Sequence, residues 1–372
     1  MEIPFIVADS YIPYIQYIVK FPMKLCLLLP AQITHENLLN INPEALLIRT
    51  RTRVDRHLLE NTRVNFIGTA TIGTDHIDTE WCQSQGIKVV SAPGSNAGGV
   101  MQYVAAAIAY YCETRQISPD TLTLGVVGVG NTGSRSVKVG QALGMKILVN
   151  DPPLAEAGLL KEHCPLPELL SQSDIVTIHV PLTQNGTYPT FNLIHSGNIH
   201  HLKPQSLLIN TSRGGVVDES ALLAYKAVHP GFDFILDVWE NEPHLNTMVL
   251  EKALVATPHI AGYSIDGKRK ASYMIFNALF EHYGQPTPVE LPDVPPPSMP
   301  EISAHTVTEA ILKAYPIMND DERLRKAPQN FELLRSNYSF RHEFHHYSIQ
   351  GLSDSHKEKA MLLGFKTIRS NN

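Results

Sequence analysis

Residues 125–133 read Gly-Val-Val-Gly-Val-Gly-Asn-Thr-Gly, which sets Gly128, Gly130 and Gly133 at GxGxxG spacing, with Asp151 following 21 residues after Gly130. Each position has a task in holding a dinucleotide. Gly128 permits a tight turn, Gly130 lets the backbone approach a pyrophosphate, and Gly133 allows close helix–strand packing. The helix that opens there offers unpaired N–H groups to the phosphates. Asn131 and Thr132 complete the expected cofactor-binding loop. Asp151 would accept hydrogen bonds from ribose hydroxyls and repel a 2′-phosphate, which predicts NAD over NADP.

Arg213, Glu242 and His259 form a second constellation. Each lies just beyond an apolar, strand-like run: 207–212, 234–241 and 253–258. A guanidinium fork can grip a substrate carboxylate and polarise a developing carbonyl. An imidazole can take a hydroxyl proton and return it in the reverse reaction. A carboxylate can hold that imidazole in one orientation and raise its basicity. Together they suit the oxidation of an anionic hydroxy acid.

The elements that must position these groups can be read from the same runs. From 1 to 96, short runs at 5–8, 45–48, 64–67 and 88–90 alternate with polar helical patterns. From 97 to 264 the alternation is stronger, with strands expected at 122–127, 146–149, 175–178, 206–209 and 234–236. Nearly continuous apolar runs are the pattern of parallel strands covered on both faces. Such a sheet gathers its carboxyl ends at one edge, where the three candidates would meet. Residues 286–300 contain seven prolines and read as an extended spacer, because each proline fixes φ and removes a donor. Residues 301–372 are long enough for a small further domain.

Composition narrows the function classes. Hydrophobic residues make up 43% of the 372 and charged ones 18%, which excludes a disordered chain. A net charge of −6 argues against a general nucleic-acid or membrane-surface binder. The N-terminal stretch lacks a basic segment before its apolar residues, so no signal peptide is expected, and Leu25–Leu29 is too short for a membrane span. The four cysteines are widely spaced and suit a reducing cytoplasm.

The blocks 125–133, 211–219, 237–243 and 257–263 resemble the D-isomer-specific 2-hydroxyacid dehydrogenases, and the resemblance covers most of residues 45–285. It implies that Arg213, Glu242 and His259 are catalytic, and that Val180 (through its backbone), Thr211, Asp237 and Gly262 contact the cofactor. It also implies a Rossmann-type doubly wound parallel sheet, residues 97–264, inserted in a discontinuous flavodoxin-like substrate domain, residues 1–96 and 265–285. The stretches 66–78 and 91–97 and the tail 301–372 are similar to one branch of that family. Its members oxidise 4-phospho-D-erythronate on the way to pyridoxal 5′-phosphate, and carry a small α+β C-terminal domain through which they form homodimers. By the same resemblance Thr50, Thr71 and Tyr263 contact substrate. Arg49 and Thr50, just after the strand at 45–48, could bind a terminal phosphate. For Arg51 and Arg53 a solvated basic face is the simpler reading. Where relatives often carry a glutamate, this chain has Gln102.

His342-Glu343-Phe344-His345-His346 matches HExxH, but a strand is expected from Tyr347, leaving barely one helical turn, and no metal is expected there. Arg341 or His342 could instead reach a neighbouring subunit's active site. Of the 17 histidines only His259 is expected to do chemistry. Two alternatives stay open: another dehydrogenase of the family, such as one acting on 3-phosphoglycerate, and an NAD-sensing corepressor built on the same fold.

Overall fold

In the computed structural model residues 4–20, 23–284, 291, 292, 296 and 299–368 are described. The chain divides into two compact units, Met1–Asn96 with Ile265–Val294, and Ala97–Ser264 with Pro295–Asn372.

The first unit is built on five parallel strands, β1 (Phe5–Asp9), β2 (Lys24–Leu28), β3 (Ala45–Ile48), β4 (Phe66–Thr69) and β5 (Lys88–Val90), in the order β2-β1-β3-β4-β5. This is the flavodoxin-like order. β3 and β4 are buried along their whole length, as continuous apolar runs require. The expected strand at 64–67 is shifted by two residues, because pairing starts at Phe66 opposite Ala45 and Lys88. The helix Ile265–His282 returns to this unit and packs Ile275, Phe276 and Leu279 with Ile6, Leu47 and Phe66. Gly68 makes that approach possible: a Cβ there would lie 2.7 Å from Leu47 Cδ2 and 3.4 Å from Ile275 Cβ.

The second unit has a six-stranded parallel sheet, β6 (Thr123–Val127), β7 (Lys146–Asn150), β8 (Ile175–Ile178), β9 (Leu207–Asn210), β10 (Asp233–Leu236) and β11 (Val255–Ala256), in the order β11-β10-β9-β8-β6-β7. The strand order reverses at β6, whose neighbours are β7 and β8. A ligand crevice is expected outside the carboxyl ends at such a point. The helix Ala97–Arg115 is buried on nearly every face because its partners lie on both sides.

One of those partners is the tail. Its strands β12 (Glu301–Ser303), β13 (Ser348–Gln350) and β14 (Lys366–Thr367) are parallel and joined through helices, so the tail is an α/β layer where an α+β domain was expected. Nor does it stand apart. Ile302, Ile311, Phe344, Ile349 and Phe365 share one core cluster with Val104, Ile108 and Val139. Strands of three, three and two residues cannot enclose a core of their own, so the tail borrows one. Most of the proline spacer lies outside the described residues. Among those described, no helix is long and apolar enough to cross a membrane.

Candidate active site

The glycine loop runs from β6 into the helix Gly133–Leu143. Gly128 has φ +83°, and the absence of a Cβ lets the His179 backbone come close. A Cβ on Gly133 would fall 1.8 Å from the Gly128 carbonyl oxygen, so the helix start can pack on the loop only through glycine. Gly130 faces open space, with nothing within 4 Å of where its Cβ would be. That is the clearance a pyrophosphate needs. Asp151, at the end of β7, accepts from Val129 N at 2.8 Å and Leu154 N at 3.1 Å, and each oxygen keeps a lone pair for a ribose hydroxyl. Asn131 is exposed and Thr132 half-buried at the loop tip. These residues fit NAD.

Beneath the loop sits a group that sequence reasoning missed. His179 Nε2 lies 2.8 Å from Ser136 Oγ and 3.0 Å from Thr177 Oγ1, and Nδ1 lies 3.4 Å from Thr211 Oγ1. Burial pushes its pKa down to about 3, so it is a neutral clasp between the helix start and the ends of β8 and β9. Thr211, an expected cofactor contact, therefore has a neighbour of its own. Val180 is half-buried beside Gly128. Only the strand-like Val176-Thr177-Ile178-His179 context could have signalled His179.

The catalytic candidates follow β9, β10 and β11. Asn210 turns the chain at Arg213: its Oδ1 accepts from Ser212 N and Oγ, and its Nδ2 donates to the Arg213 carbonyl. Gly214 lets the Trp239 carbonyl approach, since a Cβ would lie 1.8 Å from that oxygen. The Arg213 turn thus packs directly on the loop that carries Glu242. Glu242 accepts from Trp239 N at 3.1 Å and from His259 Nδ1 at 2.8 Å. Burial alone would raise its pKa, but the His259 bond and charge, the Trp239 amide and the Arg335 charge together hold it below the usual value. It is therefore ionised and can only accept, which places the proton of the imidazole on Nδ1 and the lone pair on Nε2.

His259 has φ +56°, a left-handed backbone that is costly for a non-glycine residue and needs support from its surroundings. Asp237 supplies it. Its Oδ1 accepts from Thr257 Oγ1 at 2.6 Å and Ile260 N at 2.8 Å, its Oδ2 from Ala261 N at 2.8 Å, and its carbonyl from His259 N at 2.8 Å. Burial raises the Asp237 pKa against these stabilising bonds. Asp237, expected as a cofactor contact, shapes the loop that carries His259 and Gly262. Because Thr257 donates to Asp237, the Tyr103 hydroxyl must be the donor in its 2.7 Å contact with Thr257 Oγ1.

The tail adds a brace. Arg341 is buried in its own chain, where it donates to Gln102 Oε1 (2.8 Å), Gly99 O (2.9 Å), Ile260 O (3.1 Å) and Ala261 O, and it stacks on Tyr315. It is thus engaged at home, contrary to the expectation that it could reach a neighbouring subunit. Gln102 is fully buried and also donates to His342 O at 3.0 Å, a bond a glutamate could not make. The HExxH histidines do not share an α-helix, since residues 344–346 form a single 3-10 turn, and Glu343 accepts from Ser264 Oγ at 2.7 Å. Tyr263 is half-buried, its hydroxyl accepting from Arg335 Nε at 3.1 Å and its ring against Tyr338 and Phe340.

In the first unit the expected substrate residues gather at the carboxyl edge of their own sheet. Arg49 donates to Tyr11 O at 3.2 Å, Thr50 is exposed, and Thr71 donates to Gly73 O at 3.0 Å. Thr71 also meets Thr69 Oγ1 at 2.7 Å, which meets His76 Nε2 at 3.1 Å. Asp9, 1% exposed, stands nearby: burial raises its pKa, and Arg49 and Arg51 pull it down. Arg51 and Arg53 are exposed, Arg53 lying 3.5 Å from Asp55.

Known proteins share this fold. Residues 102–261 match the D-isomer specific 2-hydroxyacid dehydrogenase, NAD binding domain. D-lactate dehydrogenase from Aquifex aeolicus, solved with NAD and lactic acid, superposes with a TM-score of 0.59 at 24% identity, over 76% of this chain and 96% of that one. The TT0316 protein of Thermus thermophilus gives 0.60 at 25% identity, over 77% and 100%. Erythronate-4-phosphate dehydrogenase of Bacteroides thetaiotaomicron is 40% identical over 349 residues, 93% of this chain and 99% of its own. The Marinobacter nauticus enzyme of the same name is 40% identical over 344 residues, 87% and 89% respectively. With identity of that order over about nine-tenths of its length, the chain belongs to the erythronate-4-phosphate dehydrogenases, an NAD-dependent branch of the D-isomer specific 2-hydroxyacid dehydrogenase family.

Proposed function

We propose that the protein oxidises 4-phospho-D-erythronate to 2-oxo-3-hydroxy-4-phosphobutanoate with NAD, a step toward pyridoxal 5′-phosphate. The observation that carries this reading is the Glu242–His259 pair at 2.8 Å, packed beside the Arg213 turn in the same unit as the dinucleotide loop. Arg213 holds the substrate carboxylate. His259 Nε2 takes the C2 hydroxyl proton, and Glu242 fixes the ring and balances the charge it gains. When bound, NAD accepts the electron pair leaving C2. Gly128, Gly130, Asn131, Thr132, Gly133, Asp151, Val180, Thr211, Asp237 and Gly262 hold that cofactor, and Arg49, Thr50, Thr71 and Tyr263 hold the substrate.

The protein works as a cytoplasmic homodimer joined through residues 301–372. Exposed Leu333, Met361 and Leu362 on that tail support the pairing surface, and four unpaired cysteines support the compartment. The test is NADH formation from 4-phospho-D-erythronate, with and without a 2-oxo acid that regenerates NAD. Turnover of 3-phosphoglycerate but not of 4-phosphoerythronate would overturn the substrate. NAD binding with no turnover of any hydroxy acid would favour a corepressor role.

A further inference from the structure

Arg335 belongs to the helix Phe331–Ser336 of the tail, 72 residues beyond Tyr263 in sequence, yet its Nε donates to the Tyr263 hydroxyl at 3.1 Å. The Glu242 carboxylate also acts on it electrostatically, and it on Glu242, and its bond partner Tyr263 lies four residues after His259. Its side chain is only 19% exposed. A guanidinium withdrawn from water is costly unless its donors are met. Two other arginines of the tail meet that demand inside the protein. Arg341 is shared among backbone carbonyls and Gln102, and Arg325 binds Asp321 at 2.8 Å and the carbonyls of Leu250 and Ala253 at 2.6 and 2.7 Å. Arg335 is supplied differently. Its hydrogen bond goes to a neutral hydroxyl through Nε, and its carboxylate neighbour, Glu332, is half-exposed with an oxygen 3.8 Å from Nη1, beyond hydrogen-bonding distance. Among the described residues its Nη atoms make no further hydrogen bond, so the two-pronged Nη face is open to an anion.

We infer that Arg335 is a specificity-determining residue that binds the anionic far end of the substrate, opposite the carboxylate held by Arg213. The inference rests on the reading of the substrate as a phosphorylated hydroxy acid. Such a molecule carries negative charge at both ends, and one guanidinium can orient only one of them. Arg213 must lie at the carboxylate, because the carbon bearing that group is the one His259 serves. A guanidinium bonded to Tyr263, with a fork that matches two phosphate oxygens, answers the other end in addition to Arg49. Tyr263 then fixes the fork through Nε.

The test compares kcat/KM for 4-phospho-D-erythronate and for unphosphorylated D-erythronate in the full chain and in Arg335→Met, Arg335→Lys and Tyr263→Phe. In Arg335→Met the preference for the phosphorylated acid should fall roughly 10- to 150-fold, the range of a lost charge-assisted hydrogen-bond pair, with the loss carried mainly by KM. Arg335→Lys, which keeps the charge without the fork, should lose less. It serves in place of the methionine variant if that one does not fold. If Arg335 were only a brace for Tyr263, both substrates would suffer equally in Arg335→Met and in Tyr263→Phe, and an unmoved preference would sink the proposal. Absence of phosphoerythronate turnover in the unaltered protein would instead defeat the substrate reading itself.

Discussion

Glu219 offers a quantitative check on the scaffold behind the candidate catalytic loops. It opens the helix Glu219–Val228 and exchanges hydrogen bonds with Glu240: Glu219 N donates to Glu240 Oε1 at 2.8 Å, and Glu240 N donates to Glu219 Oε1 at 2.9 Å. The pair ties the segment after Arg213 to the segment before Glu242. Glu219 is 5% exposed, and burial, joined by the charges of Glu240, Asp218 and Glu242, raises its pKa from 4.5 to about 6. A carboxyl raised on folding favours the folded state while protonated and loses that contribution as pH rises from 4.5 to about 6. At 1.36 kcal/mol per pKa unit the charged form costs about 2 kcal/mol above that window. Glu219→Gln keeps the oxygen that accepts from Glu240 N and removes the charge. It should raise Tm by roughly 4–8 °C near pH 8 for a unit of this size, and by almost nothing near pH 4. Thermal unfolding followed by calorimetry at both pH values decides the matter. An equal shift at the two pH values, or a loss of stability near pH 8, would refute the reasoning.

Other substitutions address the chemistry. His259→Ala should lower kcat by about 10²–10⁴ while NAD affinity, read by fluorescence titration, stays close to that of the unaltered protein; near-normal turnover would remove His259 from its role. Arg213→Lys should cost roughly 10²-fold in kcat/KM, because a point charge cannot reproduce a two-pronged grip on the carboxylate; a loss below threefold would argue that charge alone suffices. Asp151→Ala should erode the preference for NAD over NADP in parallel kinetic assays, and an unchanged ratio would show that selectivity resides elsewhere.

Much of the framework was legible because parallel strands covered on both faces are written as apolar runs, and the runs at 45–48, 88–90 and 175–178 match β3, β5 and β8 to the residue. β2 escaped notice as a strand because it is an edge, with Leu27 46% exposed, so Leu25–Leu29 read only as a short apolar stretch. Arg213, Glu242 and His259 were readable for a related reason: each follows a strand, and a parallel sheet brings strand ends together. The supports behind them were not. Gln102 and Arg341 meet across 239 residues, and Arg335 and Tyr263 across 72. No spacing rule spans such distances. His179 was hidden by its neighbours, which read as strand, and its role arises from hydroxyls on three separate elements. The tail looked separable because composition marks a proline break but says nothing of whose core the residues beyond it complete.

The bonds of Arg341 also set an order of events for a chain emerging from the ribosome. The carbonyls of Gly99, Ile260 and Ala261 are synthesised long before their shared donor, 80 residues ahead in the case of Ala261. Until residue 341 has emerged, those three carbonyls lack this partner, and the backbone after His259 is held by Asp237 without it. A nascent chain long enough to hold the whole dinucleotide loop and all three candidate catalytic residues therefore still lacks the guanidinium that binds the backbone after His259. The dinucleotide loop is thus complete in the growing chain well before the loop after His259 gains its Arg341 brace.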